Sequence, residues 1–223
     1  ELIFLQSIGP RLGGLLTKDI GELKRIFLSP GPIFDPEDRM DDYWGYTEAF
    51  YSVGFRPGDV VQVTFNYHLS PAGLMFEEPL RNLGCASIPA GPTDPGTQLD
   101  IMQKLRVSGY VGTASYLMHL AQKAEEKGIN LRKDLFQEVA FVTGERLSEK
   151  MRNQLEKKFD IILRQGYGTA DVGCIGYECF HKTGLHISNR CYVEICHPDT
   201  GIPLKDGEVG EIVVTSFNKT YPL

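Results

Sequence analysis

The stretch Gln165-Gly166-Tyr167-Gly168-Thr169-Ala170-Asp171-Val172-Gly173 gathers residue types that suit a nucleotide. Glycine lacks a Cβ, so backbone there can come close to a ligand. The flat ring of Tyr167 can stack on a base, and the Asp171 carboxylate can hold a magnesium ion on a phosphate. The stretch follows Ile161-Ile162-Leu163, an apolar run that reads as a buried strand. The residues therefore suggest a nucleotide site at the end of a sheet strand.

The elements that must position this site alternate. Val60 to Phe65, Cys85 to Pro89, Gly109 to Gly112, Val139 to Val142 and Ile161 to Leu163 read as strands. Between and before them, Asp41–Phe55, Pro71–Leu83, Asp94–Arg106, Ser115–Lys127 and Ser148–Phe159 carry helical spacing, with Ser115 as an N-cap and Gly128 as a stop. Continuous apolar strands separated by helices predict an α/β fold, a parallel sheet covered by helices on both faces. Ligands of such sheets bind beyond the carboxyl ends of the strands. Asn66-Tyr67-His68, Gly112-Thr113-Ala114-Ser115, Thr143-Gly144-Glu145-Arg146 and Gln165 to Asp171 end there, so all four are candidate site loops. After Gly173 helical periodicity stops and alternating strands follow. The expected organisation is an irregular segment 1–40, an α/β nucleotide-binding unit 41–173 and a smaller β-rich subdomain 174–223.

Composition narrows the class. The 223 residues can bury a substantial core, and 23% charged with 42% apolar residues is ordinary for a globular protein. A net charge of −6 argues against a general nucleic-acid binder. No apolar stretch is long enough to span a bilayer. Five cysteines, an odd number, and no leader-like start predict a reducing, cytoplasmic setting. The start at Glu1 rather than Met reads as the interior of a longer parent.

A strand followed by Tyr-Gly-x-(Ser/Thr) and an acid resembles the core motif of adenylate-forming enzymes. Gly176-Tyr177-Glu178-Cys179, Gly184-Leu185-His186-Ile187, Val193-Glu194-Ile195, Pro198-Asp199-Thr200-Gly201 and Gly207-Glu208-Val209-Gly210-Glu211-Ile212-Val213 are similar to the phenylacetate–CoA ligase-like branch. The resemblance runs from about Pro57 to the last residue. It implies an ATP-dependent ligase that makes an acyl-adenylate and then an acyl-CoA thioester, with ATP or AMP, Mg²⁺ and coenzyme A as cofactors. A small carboxylic acid such as phenylacetate is the implied substrate, with no nucleic-acid or membrane partner and a homodimer left open. Gly144, Glu145 and Arg146 match the segment that contacts adenine. Tyr167 matches the ring beside it, Gln165 a position facing the nucleotide, and Gly166 and Gly168 the flanking glycines. Asp171 matches the acid on Mg²⁺, and Thr169 is the hydroxyl candidate beside phosphate. Tyr67, His68, Ala114 and Ser115 match positions bordering the acid substrate.

Three departures accompany the likeness. Ala170 stands where the family has Ser or Thr, and Asp171 is shorter than the usual Glu. The phosphate loop is replaced by Ser29-Pro30-Gly31-Pro32, whose prolines lack amide hydrogens to cradle an anion. The family's ribose-binding motif and C-terminal lid would lie beyond Leu223, so this chain alone is expected not to adenylate. In relatives Cys179 and His186 join a downstream cysteine pair to hold a structural zinc; a rival local set is Cys179, His181, His186 and Cys191. Two alternatives stay open beside the ligase: an adenylyltransferase that resembles coenzyme F390 synthetase and modifies a deazaflavin, and a non-catalytic AMP-binding relative. A flavodoxin-like module is a weaker third.

Overall fold

The computed structural model describes residues 2–222. Its centre is a seven-stranded sheet in the order β4-β3-β5-β6-β7-β8-β9. The strands are β3 (Val60–Val63), β4 (Ala86–Pro89), β5 (Gly109–Gly112), β6 (Val139–Val142), β7 (Ile162–Thr169), β8 (Gly173–Tyr177) and β9 (His186–Ile187). The first five pair in parallel; β8 and β9 extend the edge antiparallel.

Side chains alternate across a strand, and here both faces are apolar. Val139 and Phe141 of β6 pack with α2 (Thr47–Val53) and α3 (Ala72–Asn82) on one face. Ala140 and Val142 pack on the other, with α4 (Pro95–Lys104), α5 (Ala114–Glu126) and α6 (Glu149–Phe159). The expected sheet covered on both faces is thus what the chain forms. Asp94 and Ser148 cap α4 and α6 by accepting from the amides of Thr97 and Met151.

Four expectations differ. The helix read over Asp41–Phe55 is confined to α2, because Asp42 and Gly45 sit at positive φ (50° and 71°) and make a turn. The Asp42 carboxylate then accepts from the amides of Tyr46 and Thr47 and starts the helix. The N-cap of α5 is Thr113, which accepts from the Tyr116 amide; Ser115 lies inside the helix. Segment 1–40 is not irregular throughout. It contains α1 (Leu2–Ile8) and the antiparallel pair β1 (Arg25–Ser29) and β2 (Ile33–Glu37), joined by the Pro30-Gly31-Pro32 turn. Finally, no break in the sheet falls at 173/174, since β8 and β9 continue it. A separate antiparallel pair, β10 (Cys191–Cys196) with β11 (Glu211–Ser216), follows.

The segment before α2 ties these parts together. The Trp44 indole donates to Ala170 O at 3.1 Å, and Trp44 O accepts from the Cys174 amide at 2.8 Å. The Arg190 guanidinium donates to the carbonyls of Asp42 and Tyr43.

Candidate active site

The nucleotide motif is not a loop. Gln165 to Thr169 are the second half of β7, which folds back through Ala170-Asp171-Val172 into β8. A bulge between Tyr167 and Gly168 shifts the register, and such bulges re-aim a side chain. Tyr167 stands 43% exposed. Gly168 is required by contact: a Cβ there would lie 2.2 Å from Gly173 O and from the Tyr46 hydroxyl. Thr169 is exposed and its hydroxyl accepts from the Val172 amide at 3.2 Å, closing the turn.

The 143–146 segment leaves the end of β6 beside this strand. Val142 is in register with Gln165, and the Thr143 hydroxyl donates to Gly166 O at 2.9 Å. Gly144 turns the chain at φ 82°, a conformation that suits glycine. The expected meeting of the two strand-end segments is therefore present in the fold.

The structure gives Glu145 and Gln165 protein partners. Glu145 is exposed, but its carboxylate accepts from the amide (2.6 Å) and hydroxyl (2.9 Å) of Ser115, so both oxygens are engaged at the first turn of α5. Negative charge at a helix N-terminus is favourable, and Glu145 fixes the turn rather than offering a free acid. Arg146 is exposed. Gln165 donates its side-chain amide to Glu178 at 2.9 Å. Glu178 also receives the Gln165 amide and a two-pronged contact from the buried Arg152 guanidinium. Burial pushes Glu178 up, but hydrogen bonds from Arg152 and Gln165 and the Arg152 charge outweigh it and leave its pKa below the ordinary value.

A cavity of about 160 Å³ opens beside these segments. Its lining comes from the β1–β2 turn (Ser29, Pro30), the end of β3 and start of α3 (Phe65, Ser70, Pro71, Ala72, Met75, Phe76), Tyr46, and the motif residues Thr143, Gly144, Gly168, Thr169 and Ala170. It is an apolar slot with hydroxyls at its edge. Of the residues expected to border the acid, none lines it. The Tyr67 ring packs on Gly73, where a Cβ would meet it at 2.6 Å, with its hydroxyl buried. His68 is exposed, Ala114 is the buried first residue of α5, and Ser115 is held by Glu145. The actual liners Ala72, Met75 and Phe76 follow helical spacing on one face of α3, a signal that reads equally well as core. A larger hollow between Asp38, Asn189, Arg190 and the 217–220 segment contains none of the motif residues.

On β2, Asp35 is a buried acid. It is 2% exposed, and neither carboxylate oxygen has a hydrogen-bond partner among the described residues. Asp171 in the motif turn is half-buried, with Oδ1 buried and likewise unpartnered. No group of three or more His, Cys, Asp or Glu is assembled to hold a metal among the described residues. The local zinc set is therefore not brought together. Cys191 is buried, whereas His181 and His186 are exposed and their rings lie against Phe180 and Tyr177.

Comparison with known proteins shows the family and the fold. The profile of the family described as AMP-binding enzyme matches residues 43–219. The chain belongs to the AMP-binding enzyme family. It is 30% identical over 172 residues to the phenylacetate-coenzyme A ligase of Pseudomonas putida, covering 75% of this chain and 39% of that one. It is 28% identical over 190 residues to the enzyme of the same name from Escherichia coli K12, covering 80% and 42%. The chain thus spans about two fifths of the length of these curated relatives. A crystal structure of 2-hydroxyisobutyryl-CoA ligase in an open conformation, in complex with 2-HIB-AMP and CoA, superposes with a TM-score of 0.92. The identity is 20%, covering all of this chain and 51% of the other. That match shows the same fold. Among the described residues no helix of this AMP-binding family member is long and apolar enough to cross a membrane.

Proposed function

We propose that this chain carries the adenylate-binding part of an AMP-forming acid–thiol ligase of the phenylacetate–CoA ligase type. In the parent reaction the acid's carboxylate attacks the α-phosphate of ATP, giving the acyl-adenylate and releasing pyrophosphate, and the thiol of coenzyme A then takes the acyl group and releases AMP. The observation that carries this reading is the Thr143–Gly166 hydrogen bond, which ties the 143–145 turn to the strand of the exposed Tyr167. A purine stacked on that ring directs its phosphate toward the Thr169–Asp171 turn.

The slot supports an acid with a ring-sized apolar group. An apolar cavity of about 150 Å³ accepts benzene, and this one is of similar size, about 160 Å³. Phe65, Met75 and Phe76 would hold the group, and the Thr143 and Thr169 hydroxyls flank the carboxylate end. Asp171 suits Mg²⁺, since its buried oxygen lacks a protein partner; the ion, when bound, offsets the negative charge that gathers on phosphate. The residues themselves stack the base, orient the phosphate and exclude water from the acyl group.

Calorimetry with AMP, ATP and a phenylacetyl-adenylate mimic tests the proposal. AMP and the mimic are expected to bind, the mimic more tightly, and ATP to gain little from its extra phosphates because Pro30 and Pro32 supply no amide donors. No binding of either AMP or the mimic would refute it. The same prolines, with Ala170, favour a second reading: a relative that retains AMP but does not activate acids. Equal affinity for AMP and the mimic would support that alternative.

A further inference from the structure

The slot is assembled from parts that lie apart in the chain. Ser29 and Pro30 of the β1–β2 turn line it, and so do Ala72, Met75 and Phe76 on α3. Apolar contact is non-directional, so it does not by itself set the spacing between hairpin and helix. Polar contacts do, at two places. Near the turn, the Leu28 amide donates to Leu69 O at 2.9 Å. At the open end of the hairpin, Lys24 and Arg25 both reach Glu78 on α3, Arg25 at 2.8 Å. The same two bases hold Glu37, fully buried on β2, at 3.0 and 2.9 Å. Two bases and two acids thus close a neutral cluster that joins β1, β2 and α3. Isolated surface pairs hold little, but a network of several charges can hold a geometry. Leu69 stands at φ 61° although it is not glycine. Its side chain is 58% exposed, so side-chain packing does not impose that conformation. Residues held in this region persist where the surroundings over-determine them, and they cluster at ligand clamps. Here the strained residue is the one whose carbonyl takes the hairpin amide.

We propose that Glu78 is a positioning residue for acyl-group specificity: with Lys24, Arg25 and Glu37 it clamps the hairpin to α3, fixes the width of the slot and limits the acyl group to a single ring. This rests on the acyl slot of the proposed ligase. The clamp touches no substrate. It acts by keeping Ser29 and Pro30 at a set distance from Met75 and Phe76, so a group too large for about 160 Å³ has to break charge pairs to enter. Glu78 is the member to remove. Without it Glu37 keeps both bases, and the five-residue pairing of β1 with β2 is untouched. Loss of Glu37 would instead leave two bases facing each other across a buried site.

The test is calorimetry with AMP, a phenylacetyl-adenylate mimic and a naphthylacetyl-adenylate mimic, together with deuterium uptake at the Leu28 amide. The wild type is expected to prefer the phenyl mimic at least tenfold over the naphthyl one, about the discrimination a pocket of fixed size gives against one extra apolar group. In Glu78→Gln that preference should fall below about threefold, while AMP affinity stays within about twofold of the wild type. The Leu28 amide should exchange at least about tenfold faster, and the Cys174 amide, which donates to Trp44 O elsewhere in the sheet, should not change. Asp100→Asn, which removes an exposed pair with Lys104 on α4, should alter none of these. A cluster that served stability alone would lower the melting temperature of Glu78→Gln and leave the preference as it was; that result overturns the proposal. So does a wild type that binds AMP and both mimics alike, an outcome that leaves the ligase reading standing. A wild type that binds neither AMP nor a mimic strikes the ligase reading and this inference with it.

Discussion

At the scale of single residues, the site works by presenting faces and withholding atoms. Tyr167 is exposed while its strand neighbours are locked by Phe141, Tyr46 and the β8 backbone. Stacking of a base on an aromatic ring is worth about 1–3 kcal/mol by alanine substitution. Tyr167→Ala should therefore weaken AMP binding roughly five- to 150-fold in calorimetry, with little change in melting temperature, and Tyr167→Phe should retain most of the affinity. A loss shared by Tyr167→Phe would mean that the hydroxyl, not the ring, makes the contact. The expected stretch around Tyr167 came from its residue types, and the expectation for Gly144 from its place at a strand end and from the resemblance. The burial of Asp35 was not legible, because a lone aspartate between Phe34 and Pro36 carries no spacing signal. The protein contacts of Glu145 and Gln165 carry no local sequence signal. Their protein partners, Ser115 and Glu178, are set by tertiary contact.

At the scale of elements, the site rests on a hairpin and on strand ends. The parallel strands and most helices were legible, because continuous apolar runs such as Val139–Val142 and capping residues such as Asp94 and Ser148 act locally. The β7–β8 hairpin was not. Gly-Tyr-Gly reads as a loop by propensity, yet pairing with β8 holds it as a strand, with the bulge absorbing the mismatch. The β1–β2 hairpin was hidden by its prolines, which fall in the turn and next to Asp35 rather than breaking the pairing. These contacts make the hairpin intolerant of side chains. In Gly168→Ala the new methyl would collide with Gly173 O and the Tyr46 hydroxyl, and overpacking of this kind costs about 1–3 kcal/mol. Urea denaturation should show that loss, whereas Gly21→Ala, which meets nothing within 4 Å, should leave the midpoint nearly unchanged. Equal midpoints for both variants would contradict the packing described.

At the scale of the whole molecule, one buried ion pair couples the second layer to the site strand. Arg152 on α6 grips Glu178 just past β8, and Glu178 in turn holds both the backbone and the side chain of Gln165. Breaking such a pair from one side costs about 3–5 kcal/mol, so Glu178→Gln should lower stability by that order, measured in urea. The pH dependence follows from the depressed Glu178 pKa. The contribution is fully present above the ordinary glutamate value, about 4.3, and is lost as pH falls through the lower folded value, as protons bind first to the unfolded chain. Acid titration of the wild type should therefore show a stability loss below that range that Glu178→Gln lacks. The turn before α2 has a different consequence. Trp44 O takes the Cys174 amide, and the Trp44 indole donates to Ala170 O. Deuterium uptake at Cys174 should therefore be slow and should accelerate together with the 42–46 amides, making that single amide a reporter of whether an early stretch of the polypeptide has let go of the catalytic ladder.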